Sequence, residues 1–580
     1  MSDSTTGVSN NGIAKEGPKA PKDPTARRSG FYIMYENMVE ASATPDGKFC
    51  HPIFLEGRVV DKAKFTGGVT DENILNLLTN CEGISKLVHS IGITVTAKSA
   101  DLTSVGFAYH NLGKTNRFES GTRIELTCPA DGSETLLVLD DYEWSADDDV
   151  PGSFTFFFDQ VGQLASVSVM FYLNDGYHVP EVSLEAAVDY ESSAYEEMIK
   201  KSLLNVGNNK RLKKAIEKAK RGEEVTIACI GGSITQGAGA VPIQENCYAY
   251  QFYNKFKQQF GKDGGKSISF IKAGVGGTPS ELGIVRYDRD VLREKSVEPD
   301  IVVIEFAVND AGDETEGNCF ESLALKALQE PNQPAVILLF SVFVNDWNLQ
   351  DRLAPVGWHY NLPMVSVKDA VVDQFKLSKS EGNVVSKRQF FYDIYHPTND
   401  GHLVMADSLL WLIQTVDAAD MDEEDIELNK EPIIGNDFAE TKLLDRSNAG
   451  ELATIESGGF IDIDTDLQMV EMDADPHRSP QFPHNWMHNP QQGTPEFKLT
   501  ITSKRLLLVF KDSGSNEFGS ADIYVDGNHL KKADPHENNW THCNAVILYN
   551  EQVAREHKIV IKMAEGDEQK LFTILGFGYC

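Results

Sequence analysis

Chemistry in this chain is best sought first at Ser233, in the stretch VTIACIGGSITQGAGA (residues 225–240), where an apolar run passes straight into glycines. A strand that turns sharply into a helix can raise a serine as a nucleophile, or cradle a phosphate on backbone N–H groups. The phosphate reading fails on detail. Gly232 and Gly237 have the glycine spacing of a phosphate loop, but Ala238 and Gly239 stand where a lysine and a hydroxyl residue are required. GGSITQG also lacks the spacing of a dinucleotide fingerprint, and FIKAGVGG lacks the acid that should follow one. The nucleophile reading demands a base, a group that orients the base, and donors for an oxyanion. Three further places supply them. AGVGGTPS (residues 273–280) exposes backbone N–H groups through its glycines, FAVND offers the side-chain amide of Asn309, and FYDIYHPTNDGH holds Asp393 and His396 three residues apart.

Other chemically able residues have more ordinary readings. His402 competes with His396 as the base, but falls inside an expected helix and is read as a packing or capping residue. Asp310 and Asp400 are read as turn or cap residues. DIDTD (residues 462–466) has the look of a calcium loop, yet lacks the glycine and the distal glutamate and alternates like a strand.

The elements that must position these groups fall into three regions. From Phe31 to Val188 the chain is β-rich, with runs such as GITVTAKS, GTRIELTCP and SVSVMFYLND between Gly, Asp and Asn turns, which implies a sandwich. Within it, TDENILNLLTNCEGISKLVHS reads as one helix started by Thr70 or Asp71. The middle region opens with two amphipathic helices, YEEMIKKSLL and NKRLKKAIEKAKRGEE. It then alternates near-continuous apolar strands (VTIACI, ISFIKAG, DIVVIEFAV, AVILLFSVF, PMVSV) with helices, and closes on the helix NDGHLVMADSLLWLIQTV. That pattern implies a parallel sheet covered on both faces, whose ligands bind beyond the carboxyl ends of the strands. Ser233, the AGVGG turn and Asn309 each follow such an end. An acidic stretch, DAADMDEEDIELNKE, then leads to a second β-rich region in which VDGN marks a hairpin.

Composition sets the outer limits. A chain of 580 residues calls for two to four domains, and 41% hydrophobic with 9% aromatic residues is globular rather than disordered. The formal net charge of −34 disfavours nucleic acid and anionic membranes as partners. Its eight cysteines show no metal-type or disulfide-framework spacing. The first 29 residues are polar, without the apolar core of a signal peptide, and read as a disordered tail. No stretch is apolar enough to span a membrane, and a cytoplasmic location is the expectation.

Ser233 in GGSITQG, Gly277 in AGVGGT, Asn309 in AVND and the Asp393–His396 pair in DIYHPTNDGH resemble, in order, the four blocks of the SGNH (GDSL-type) hydrolases. Two positions depart from the pattern: Gly232 stands where Asp is usual, and Ala307 where Gly is usual. Both departures, with WHYNLPMVS (residues 358–366), are similar to a branch near the carbohydrate acetyl esterases. The resemblance implies Ser233 as nucleophile, His396 as base and then acid, and Asp393 as the group holding the imidazole. It implies an oxyanion hole of the Ser233 and Gly277 N–H groups with Asn309 Nδ2, and no metal or organic cofactor.

The expected architecture is multidomain, with a flavodoxin-like α/β/α doubly wound parallel sheet between two β-sandwiches. Its segments are a tail (1–29), an N-terminal β-sandwich-like domain (30–189), the hydrolase (190–420), an acidic linker (421–434) and a C-terminal domain (435–580). The last resembles jelly-roll modules attached to carbohydrate esterases. There Trp486 and Trp540, both in polar, loop-like contexts, are candidates for a sugar platform, the ordinary alternative being a place in the core. The activity that the resemblance implies is removal of O-acetyl groups from plant-type xylan or mannan oligosaccharides. The alternatives are an esterase or thioesterase for lipid or other acyl substrates, and a carbohydrate-binding protein with a relic hydrolase domain.

Overall fold

The computed structural model describes residues 28–44, 47–181, 185–471, 478–493 and 495–580. They form two compact units: the chain up to Asp189 together with Val385–Thr398, and Tyr190–Val384 together with Asn399–Cys580. The tail expected over residues 1–29 lies outside the described residues except for Arg28 and Ser29.

The second unit contains the parallel sheet expected of residues 190–420. From edge to edge its strands run Leu203–Asn205, Met364–Ser366, Ala335–Phe340, Ile301–Glu305, Val225–Gly231 and Ile268–Gly274. All pairs are parallel except the one that the edge strand Leu203–Asn205 makes. Every residue of Ile301–Glu305 and Ala335–Phe340 is buried, as the unbroken apolar runs IVVIE and AVILLF require of strands covered on both faces. The strand order is the flavodoxin type, and its reversal falls at Val225–Gly231, flanked on either side by the two strands that follow it in sequence. One expectation is corrected here. YEEMIKKSLL is a helix only over Ser193–Lys200; its last two leucines begin the antiparallel edge strand, where cross-strand bonding overrides helix propensity.

The C-terminal β region belongs to this same unit. Its strands link into one eight-stranded sheet built on two long members, Phe497–Asp512 and His542–Met563. VDGN does form a two-residue hairpin turn, Asp526 and Gly527 both having positive φ. The run Leu506–Phe510 is apolar without alternation because both faces are buried. Leu506, Leu508 and Phe510 pack into the core of the β region, while Leu507 and Val509 join the core of the parallel-sheet region. Residues 421–434 are not a free linker: Arg211 pairs with Asp425, and the buried Glu321 carboxylate accepts the N–H groups of Ile433, Ile434 and Gly435. DIDTD is not a strand either. Among its residues only Asp462 makes a bridge, and Asp464 and Asp466 instead pair with the buried Lys511.

The first unit is an antiparallel sandwich of a four-stranded and a five-stranded sheet around one core. Phe154 of one sheet meets Phe171 of the other edge-to-face, 6.2 Å between centroids. The helix expected from residue 70 is two, Glu72–Leu77 and Cys81–Leu87, because Asp71 caps the first and Asn80 starts a second. Ahead of them lies the short helix Val59–Phe65, whose buried face is Val59, Lys62 and Ala63.

Candidate active site

The strand Val225–Gly231 ends at Gly232, and Ser233 begins a single helical turn, Ser233–Gln236, closed by Gly237 at φ +109. Close packing explains the glycines. A Cβ at 231 would come within 2.1 Å of Thr235 Oγ1, and one at 274 within 2.0 Å of the Gln236 amide nitrogen. At 232 a Cβ would meet the Asn309 amide, 2.2 Å from Oδ1 and 2.7 Å from Nδ2. Gly232 is what lets the Asn309 amide lie against the serine turn. Beneath the turn, Thr235 bonds Tyr248 and the fully buried Glu305, which also accepts from Ser341. Burial pushes the Glu305 carboxyl up to about 7, although both hydroxyls favour its ionised form.

The second strand end, Ile268–Gly274, runs into the turn that holds Gly277 at φ +72. A Cβ at 276 would lie 3.9 Å from Ser233 Cβ, so this turn borders the serine. Gln468 of the C-terminal region holds it, donating to the Gly276 carbonyl at 2.8 Å. Trp540 and His542 flank Gly277: a Cβ there would stand 3.1 Å from Trp540 Cζ2 and 2.8 Å from His542 Nε2. Trp540 remains 45% exposed beside the turn, whereas Trp486 is 3% exposed and packs on Phe497 and Phe577. The platform expectation is therefore corrected for Trp486, which is a core residue unavailable to a sugar. Sequence reading missed Gln468 and His542, since neither stands in a motif and only the fold carries them to the turn.

The Asp393–His396 pair lies in the segment of the first unit, Val385–Thr398. His396 Nδ1 is 2.9 Å from Asp393 Oδ2, and Asp393 Oδ1 accepts the N–H groups of Tyr395 and His396, each at 2.8 Å. With the carboxylate as acceptor, Nδ1 carries the proton and Nε2 is the basic nitrogen. Burial would raise the Asp393 carboxyl, but the adjoining imidazole, its hydrogen bond and the Lys62 ammonium outweigh that and hold it well below the ordinary carboxylate range. The serine, the Gly277 turn and Asn309 are thus gathered in one unit, and the Asp–His pair is formed in the other. His402 serves packing: it is buried, stacked on Tyr248, with Nδ1 near the Tyr248 N–H and Nε2 near the Ala238 carbonyl. Asp310 takes the Ser280 N–H and hydroxyl at the start of the helix Ser280–Asp290. Among the described residues, no group of His, Cys, Asp and Glu is arranged to hold a metal ion, and no helix is long and apolar enough to cross a membrane.

Residues 229–404 match the GDSL-like lipase/acylhydrolase family. The middle of the chain is a GDSL-type hydrolase domain, and the protein is a carboxylic ester hydrolase. Among solved structures, it is similar to a two-domain esterase (CEX) active on acetylated mannans, at 27% identity and a TM-score of 0.56, over 66% of this chain and 98% of that one. The same esterase co-crystallised with mannopentaose gives 27% identity and a TM-score of 0.55, over 66% and 97%. No curated protein matches the chain.

Proposed function

We propose that this enzyme removes O-acetyl groups from plant-type oligosaccharides, mannan fragments foremost, through an acyl-enzyme on Ser233. The observation that carries the chemistry is the close grouping of Ser233, the Gly277 turn and the Asn309 amide at the switch point of the sheet. The carbohydrate part draws support from the similar esterase active on acetylated mannans and from Trp540, a half-exposed ring beside Gly277 on which a sugar face can stack.

In this mechanism Ser233 Oγ attacks the acetyl carbonyl while His396 Nε2 takes the hydroxyl proton. The N–H groups of Ser233 and Gly277, with Asn309 Nδ2, receive the oxyanion. Collapse breaks the bond to the sugar oxygen, which leaves with the proton from His396. Water, deprotonated by the same nitrogen, then attacks the acetyl-serine, and the second collapse breaks the bond to Ser233 Oγ, which takes back the proton from His396 as acetate leaves. Asp393 keeps its proton off throughout and offsets the charge of the imidazolium.

The test is to incubate wild type and Ser233→Ala with acetylated mannan and xylan oligosaccharides, and with p-nitrophenyl esters of rising chain length. Acetate release by the wild type alone, fastest from mannan, is the expected result. Equal release by both proteins refutes the nucleophile, and preference for long acyl chains refutes the carbohydrate substrate.

A further inference from the structure

The Asp–His segment packs within the N-terminal sandwich unit, and that sandwich supplies charged groups to it. Arg58, at the start of the helix Val59–Phe65, places Nη1 3.7 Å from Asp393 Oδ2 and its guanidinium 5.3 Å from the centre of the Tyr395 ring. One turn on, on the same helix, Lys62 belongs to the buried face and is 1% exposed. Further bonds hold the segment on either side of the pair. Tyr392, whose N–H donates to the His396 carbonyl at 2.8 Å, has its hydroxyl 2.9 Å from His51 Nε2 and its carbonyl 3.3 Å from Asn37 Nδ2. Glu185 binds the Ser386 hydroxyl and the Arg388 guanidinium, which in turn lies 4.3 Å from the centre of the Tyr35 ring.

A buried lysine is costly unless its charge has a partner. Here burial lowers Lys62 to about 8, with Asp393 acting to raise it and Arg58 to lower it. A hydrophobic residue would fill that helix face at less expense, so the presence of a cation there calls for a reason beyond packing. Asp393 provides one. Its carboxylate is also the group that must stay ionised to orient a catalytic histidine.

We infer that Arg58 and Lys62 are positioning residues for the Asp393–His396 pair, two cations that a domain outside the hydrolase fold brings to the carboxylate orienting the base. This rests on the reading of Ser233, Asp393 and His396 as the catalytic set. The N-terminal sandwich then acts as the mount of the acid–base segment, and its loss would disable chemistry as well as any binding. Against the burial that would raise it, the Asp393 carboxyl has the His396 imidazole, the Lys62 charge and the N–H groups of Tyr395 and His396, with the Arg58 guanidinium 3.7 Å away.

The test compares Arg58→Ala, Arg58→Lys and Lys62→Met in the full chain, using a small acetyl ester and a pH series, with Ser233→Ala as control. Removing either cation should lower kcat about three- to tenfold at unchanged KM, the range expected for a partly screened charge acting through another residue. It should also change the pH profile of kcat/KM, because the charge balance is altered at the carboxylate that bonds the imidazole. Arg58→Lys should restore most of both. A residue of purely structural value would lower the melting temperature and leave the profile of the folded fraction in place. If Ser233→Ala is inactive while folded Arg58→Ala and Lys62→Met keep the wild-type kcat and profile, the inference is overturned and the catalytic assignment stands. If Ser233→Ala retains turnover, the catalytic assignment fails first. Should Lys62→Met fail to fold, Arg58→Ala, whose side chain is 33% exposed, decides the matter alone.

Discussion

Replacing Gly232 by alanine tests the proposed oxyanion site without touching a reacting group. Gly232 has φ −86, outside the left-handed region that favours glycine. The obstacle is the Asn309 amide. The new Cβ would sit 2.2 Å from Oδ1, 2.5 Å from Cγ and 2.7 Å from Nδ2, where ordinary contact begins at 3.4 Å. Asn309 must therefore move by about 1 Å, enough to take Nδ2 out of hydrogen-bonding range of an oxyanion, since such bonds tolerate only a few tenths of an ångström. Losing one such donor costs about 2.7–4 kcal/mol of transition-state stabilisation, or a hundred- to a thousandfold in kcat, with little change in KM. Asn309→Ala should cost the same. The double variant is the sharper measurement: if both changes remove one donor, it is no slower than either single variant. Steady-state kinetics on a p-nitrophenyl acetate series, with circular dichroism to certify folding, would decide. A Gly232→Ala enzyme within about threefold of wild type, or losses that multiply in the double variant, would refute the role given to Asn309.

Further outcomes follow from the same structure. Trp486→Ala should cost about 3–5 kcal/mol of stability, read as a lower melting temperature, with unchanged kinetics per folded molecule, whereas Trp540→Ala should raise KM for an acetylated oligosaccharide and spare a minimal acetyl ester. Glu305 is held near 7, above its ordinary value of 4.5, so its folded form keeps a proton that the unfolded chain gives up; this contribution to stability is full below about 4.5 and declines as pH rises to about 7. Glu305→Gln should lack that decline, and denaturant titrations at pH 5 and 8 would show the variant gaining on wild type at the higher pH. Lys62, lowered to about 8 by burial, should lose its charge as pH passes that value, giving wild type a modest fall in kcat on the alkaline side that Lys62→Met lacks.

The hydrolase sheet was legible because its strands are buried on both faces and read as unbroken apolar runs, as in AVILLF and IVVIE. The four blocks stood out because three set glycines or an amide just past a strand end, and the fourth sets a carboxylate three residues before an imidazole, ahead of the last helix. What stayed hidden was tertiary. RLLLVF (residues 505–510) lies in the region expected to be a separate C-terminal domain, although its lack of alternation is the mark of a strand with a core on either side. Gln468, His542 and Arg58 belong to no motif, and only folding brings Gln468 to Gly276 or Arg58 to Asp393. Trp486 and Trp540 share a polar context, yet one has Phe497 and Phe577 as neighbours and the other faces solvent.

The shared strand has a consequence for how the protein matures. Chains are made from the N-terminus, and domains generally fold as they emerge. Here the helix Ser280–Asp290 and its neighbours need Leu507, Val509 and Leu575 to complete their core, and the turn at Gly276 needs Gln468. A ribosome that has finished the hydrolase blocks has released an esterase with an open flank and an unpinned site. Activity should therefore appear only after the strand Thr573–Tyr579 has left the exit tunnel, and a chain arrested in the acidic stretch should be inactive, prone to aggregation and held by chaperones until synthesis resumes.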